Sequence, residues 1–149
     1  MTDLRIVRVD DTADDSALVN WRHVHNTIIP TAVLSHAETA ERARRNRLAV
    51  ACLDEVTVGC STVRPPAPGS SVATVIARVL PEYRGRGFGE QVYARALAEA
   101  RELGAEVIET CVLETNPEGL RFARARGFTE TERYVLPGDT VAFIDLRLA

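Results

Sequence analysis

The feature that most constrains the chain is the run Val79 to Gly89, Val-Leu-Pro-Glu-Tyr-Arg-Gly-Arg-Gly-Phe-Gly. Val72 to Val79, apolar on both faces as a buried central strand is, leads into it. Pro81 has no N–H to give to a ladder, so the strand is expected to stop there. Glycines follow at 85, 87 and 89, interleaved with Arg84 and Arg86. Beyond Gly87 the apolar period becomes helical. Phe88, Val92, Ala96 and Leu103 share one line, with Tyr93, Leu97 and Ala100 beside it.

A strand, a tight glycine loop and a helix N-terminus in that order suit an anion. The first N–H groups of a helix lack internal partners, and the macrodipole adds positive charge. Glycine admits close approach and positive φ. With two arginines added, the junction fits a pyrophosphate. A plain strand-to-helix turn with two solvated arginines accounts for the same glycines. A P-loop needs Lys and Ser/Thr after its glycines, whereas Glu90 and Gln91 stand here. A dinucleotide fingerprint needs a third glycine where Glu90 stands.

The stretch resembles the acyl-CoA-binding motif of the GNAT superfamily of N-acyltransferases. That motif is Arg or Gln, two residues, Gly, one residue, then Gly or Ala, after a strand ending in Val-x-Pro. Val79, Pro81, Arg84, Gly87 and Gly89 match it. Downstream, Asn116, a helical stretch Pro117 to Arg126, and Gly127-Phe128 match a second family pattern. The resemblance spans Leu4 to Leu148. It implies acetyl-CoA as co-substrate, held by Val79, Leu80, Arg84, Gly85, Arg86, Gly87, Phe88, Gly89 and Asn116. It implies an N-acetyltransferase that moves the acetyl group to the amine of a small acceptor by direct attack. It also implies that the strands ending at Val79 and Leu113 splay apart to admit the acyl-CoA.

The remaining elements follow from period and punctuation. Leu4 to Val9 alternates apolar residues with arginine, a strand with one wet face. Asp14 or Asp15 is expected to cap a helix through about His25, with Leu18, Trp21, Val24 or His25, and Ile28 buried and Pro30 closing it. Ser35 and Glu38 form a capping box for a helix to Arg45. Leu48 to Leu53 and Val56 to Val63 form a hairpin at Asp54-Glu55, and Arg64 to Ser71 is a loop. Glu106 to Leu113 is a strand, and Thr131 to Leu136 with Val141 to Leu148 a second hairpin around Pro137-Gly138-Asp139. The order β-α-α-β-β-β-α-β-α-β-β predicts an α/β chain with a mixed sheet, the order expected of the GNAT fold.

With 149 residues and 46% apolar content, residues 1–149 are expected to make one domain. All 18 basic residues are arginine, yet the net charge is −3, which argues against nucleic acid. Cys52, Cys60 and Cys111 are far apart, with no zinc spacing, and are expected as buried thiols. The opening residues lack a leader pattern, and no apolar run nears the roughly 20 residues of a membrane helix. A cytoplasmic protein without membrane or metal partners is expected; a homodimer is left open.

Acyl transfer to an amine needs a sink for the amine proton, a donor for the thioester oxygen and a proton for the leaving thiolate. Family members often place a carboxylate on the strand before the loop, but Ser71 to Val79 holds none. Glu109, Glu114 or a water chain are alternatives. Trp21, His23 and His25 stand where acceptor residues lie in the family, although a core role fits His25 as well. The family's thiolate-protonating Tyr falls at Ala123. Tyr83, Tyr93 and Tyr134 exist elsewhere, and no spacing puts them in a cleft. Catalytic residues therefore remain unassigned, and a non-catalytic acyl-CoA sensor is the competing reading.

Overall fold

Residues 4–9 and 15–148 are described by the computed structural model. The elements are β1 (Leu4–Val9), α1 (Ser16–Ile28), α2 (His36–Arg45), β2 (Arg47–Leu53), β3 (Val56–Arg64), β4 (Val72–Val79), α3 (Phe88–Glu102), β5 (Val107–Leu113), α4 (Pro117–Ala125), β6 (Phe128–Tyr134) and β7 (Phe143–Leu148). This is the order expected from the pattern. The strands form one mixed sheet ordered β1-β2-β3-β4-β5-β7-β6, in which β4 and β5 run parallel and the other neighbours antiparallel.

Local chemistry sets most boundaries. Ser35 accepts from the Glu38 N–H at 3.1 Å, and the Glu38 carboxylate accepts from the Ser35 N–H at 2.9 Å, so the capping box starts α2. Asp15 occupies the N-cap position of α1 without capping it. Its carboxylate lies 3.5 Å from His36 Nε2 instead, and Asp14 lies outside the described residues. Helix α1 continues past His25 to Ile28. Pro30 disfavours helical geometry only at the residue before it, and Ile29 still donates to the His25 carbonyl at 2.8 Å. Strand β6 begins at Phe128, earlier than the expected Thr131, because Phe128 is buried in the core and paired with Leu148. Val135 and Leu136 fall outside it and are exposed.

Each sheet face carries its own core. On one, α3 and α4 cover Val63, Ala73, Val75, Ile144 and Leu146. On the other, α1 covers Val9, Leu48, Val50 and Cys60 with Leu18, Trp21 and Val24. The fully buried Trp21 donates from Nε1 to the Ser61 carbonyl at 3.0 Å, fixing α1 to β3. Among the described residues no helix is long and apolar enough to cross a membrane.

The sheet is continuous except at its middle. Strands β4 and β5 pair through Val72↔Val107, Ala73↔Ile108 and Thr74↔Glu109, and there the ladder ends. Strand β4 goes on to Val79 against β3, and β5 goes on to Leu113 against β7. The two strands thus open into a V whose inner edges carry unpaired backbone groups. Such groups at a sheet edge are a ready template for an extended partner.

Candidate functional site

The V opens into a cavity of about 370 Å³, within the usual scale of small-molecule sites. Ala77, Tyr93, Phe122 and Ala123 line it from the α3–α4 side, and Ile28, Ile29, Ile76, Arg78 and Cys111 from the α1 side. It therefore passes through the plane of the sheet.

The glycine loop forms one mouth. After Val79 the chain makes a 3-10 turn over Pro81–Tyr83. Gly85 and Gly87 then adopt φ of +81° and +83°, the left-handed region that glycine enters without strain. Gly87 is the N-cap of α3 and offers no side-chain cap, so the first N–H groups of α3 face the cavity mouth. Gly89 serves packing. A Cβ there would lie 3.3 Å from the Phe122 ring, so its absence lets α3 close on α4.

Arg84 is more engaged than its sequence context implies. Its Nε donates to the Val79 carbonyl at 2.9 Å and its Nη1 to Glu118 at 2.9 Å, tying the loop to the strand end and to α4. Asn116 lines the cavity and caps α4, accepting from the Gly119 N–H at 3.1 Å. A Cβ on Gly119 would lie 2.7 Å from Asn116 Nδ2, so this cap needs glycine there.

Of the nine residues assigned to the co-substrate, Val79, Arg84, Gly85, Gly87, Phe88, Gly89 and Asn116 line the cavity. Leu80 and Arg86 do not. Leu80 points one pleat away from Val79 into the α1 core, and Arg86 is exposed, its guanidinium 5.8 Å from the Tyr83 ring centre. Arg126 was not anticipated. It lines the mouth with its guanidinium 3.9 Å over the Phe122 ring and ion-paired to Glu90, and its Nε is buried without a partner. The helical spacing of Phe122 and Arg126 is the signal that could have found it.

The acceptor candidates lie elsewhere. Trp21 and His25 stack at 5.3 Å behind the wall, and His25 Nδ1 meets Asn26 Oδ1 at 3.0 Å. Burial holds the His25 pKa down to about 4, so the ring is neutral at pH 7. His23 is exposed in a shallow surface depression with Arg22 and Thr27. Glu109 is held by Arg147 at 2.9 Å, and Glu114 lies 4.0 Å from Arg133. None of these five lines the cavity. The carboxylates that do, Glu90 and Glu118, are bound by Arg126 and Arg84.

The tyrosines correct the sequence expectation. Tyr83 and Tyr93 both line the cavity, and the Tyr93 ring meets Phe122 and Phe128 edge-on at 5.9 and 6.1 Å. Tyr134 sits outside it, its hydroxyl 3.8 Å from Cys111 Sγ and donating to Asp145 at 3.2 Å. Cys111 is partly exposed rather than buried like Cys52 and Cys60. Desolvation pushes its thiol up to about 11, which keeps it protonated and a poor nucleophile at neutral pH.

The fold agrees with that of known proteins. Comparison with curated proteins gave no match. Among solved structures, a GNAT-family protein from Desulfovibrio desulfuricans superposes with a TM-score of 0.74 at 15% identity, with 98% of each chain covered. A protein from Salmonella typhimurium, solved with its cofactor acetyl-CoA, gives 0.69 at 19% identity over 96% of this chain and 92% of that one. An acetyltransferase from Bacillus subtilis in complex with CoA gives 0.69 at 18% identity, with 98% of each chain covered. The acetyltransferase (GNAT) family model matches residues 12–128, a span that holds the open strand pair, the glycine loop and the Asn116 cap. On that match, the chain belongs to the acetyltransferase (GNAT) family.

Proposed function

We propose that the protein is an N-acetyltransferase that moves an acetyl group from acetyl-CoA to the amine of a small acceptor by direct attack. The observation that carries this reading is the junction of the opened β4–β5 seam with the uncapped N-terminus of α3. In this reading the N–H groups from Gly85 to Gly89 hold the pyrophosphate, supported by Arg84 and Asn116. The unpaired edge of β4 toward Val79 pairs with the pantetheine arm. The co-substrate brings an activated thioester. A β4 N–H steadies its oxygen, and the apolar walls from Ile29, Ala77 and Phe122 keep bulk water from it. Both carboxylates at the mouth are held by arginines, so water removes the amine proton. A free thiol has a pKa near ~8.5, so the leaving thiolate tolerates the lack of a positioned acid at a cost in rate.

We assign residues 1–149 to one catalytic domain. Its three unpaired thiols suit a reducing, cytoplasmic setting. Ala123 favours a second reading. It is buried in the wall where the family has its acid, so a binding or sensor domain would also look like this. A screen of small amines with acetyl-CoA, read by free-thiol release, separates the two. Release above the amine-free rate is expected. Tight acetyl-CoA binding by calorimetry, with no release for any amine, would establish the sensor.

A further inference from the structure

Arg78 sits one residue before the end of β4 and is among the residues that line the cavity. Alternation along β4 sends Ala73, Val75 and Ala77 to the α3 side, so Arg78 faces the α1–α2 side. Its register partner Cys60 belongs to the α1 core, in agreement. The glycine loop and Arg78 therefore stand on opposite sides of the open seam. A thioester entering past α3 would present its acyl carbon toward Arg78.

Among the described residues, no carboxylate pairs with Arg78 and no hydrogen bond holds its guanidinium. The neighbours that its charge reaches are Cys60 and Cys111, the neutral His25 on α1, and Arg42, a second cation on α2. Arginine stays charged in proteins, and a partly buried guanidinium without an anion is costly.

We propose that Arg78 binds an anionic group of the acceptor, so that the acceptor is a small amine bearing a carboxylate or a phosphate close to its amino group. This rests on the transferase reading above. The planar guanidinium fork matches either oxyanion in two-point contact, and that contact would hold the amine over the seam.

The test compares β-alanine, O-phosphoethanolamine and ethanolamine as acceptors with acetyl-CoA, in the natural protein and in Arg78→Met. At least one anionic amine should exceed ethanolamine in kcat/KM, and which one does so identifies the anion. In Arg78→Met that preference should shrink by about 10–100-fold, the scale of a charge-assisted contact. Arg78→Lys should keep part of it, and Arg78→Gln replaces the Met variant should that one fail to fold. In parallel, saturation-transfer NMR on the CoA-saturated protein reads amine binding without turnover. Equal kcat/KM for the three amines, or an equal fall for all three in Arg78→Met, overturns the anion site and leaves the transferase. Anionic-amine binding that depends on Arg78, without turnover, keeps the anion site and rejects the transferase. Turnover of neither class with no binding of any amine overturns both.

Discussion

At the mouth of the cavity the glycine loop offers backbone groups. Gly85 and Gly87 take positive φ, and α3 starts without a side-chain cap. On the α1–α2 face the lining residues include Arg78, placed there by register. The first mode presents N–H donors that any diphosphate satisfies, whatever else the ligand carries. The second presents one charge in an otherwise apolar and uncharged wall, and so selects by the acceptor's own chemistry. A family can keep the first while changing the second, because the backbone site depends on few residues and the other on whichever side chains reach the seam.

The strongest attack on the mouth is Gly87→Glu. It forces a side chain into φ +83° and adds negative charge where a pyrophosphate would meet the α3 N–H groups. Acetyl-CoA binding by calorimetry should be lost in a protein whose circular dichroism is unchanged. Unaltered affinity would remove the mouth from the ligand site.

Ala123→Tyr probes the wall between the two ends. A ring entering the cavity from this position should supply the missing acid and raise kcat by as much as about 10²-fold. The site is buried beside Tyr93 and Phe128, so a stability cost of about 1–3 kcal/mol is expected with it. A folded variant with unchanged kcat across pH would show that thiolate protonation does not limit the rate.

The far side should respond to pH through His25. His25 has a folded pKa of about 4 against 6.5 for the free group, because burial disfavours its charged form. The unfolded chain therefore binds the proton first as pH falls. Stability is full above pH ~6.5 and declines toward pH ~4, by a few kcal/mol at most. Denaturant unfolding between those limits should show that decline in the natural protein and a flatter profile in His25→Phe. An identical profile in both would assign the decline to other groups.

The smallest expected effect separates capping from binding at Asn116. Asp also caps helices, so Asn116→Asp should leave the melting temperature unchanged. Its new charge beside the pyrophosphate should weaken acetyl-CoA binding by about 0.5–1.5 kcal/mol. Equal affinities would confine Asn116 to the cap.

Much of this molecule was legible because its signals are local. The capping box at Ser35 and Glu38, the stop at Pro81, the alternating glycines and the cap at Asn116 each join residues a few positions apart. Alternation and helical period then assigned every element. The misplacements occurred where long-range packing competes with local signals. Phe128 entered β6 because β7 and the core hold it, and Asp15 turned to His36 rather than to its own helix. Trp21, His23 and His25 were read toward the acceptor from the family resemblance, and none of them lines the cavity, since a resemblance gives a place in the order of elements and not the packing around a side chain.

The sequence by itself determined the order of elements, the glycine geometry at Gly85 and Gly87, and the uncapped start of α3, since each depends on torsions and hydrogen bonds within a few residues. Only the tertiary structure decided that the β4–β5 ladder ends at Thr74↔Glu109, that Arg84 is tied to Val79 and Glu118, and that Arg78 faces the opened seam. Those outcomes depend on which of two parallel strands keeps its other partner and on side chains that meet across tens of residues. No local propensity encodes either.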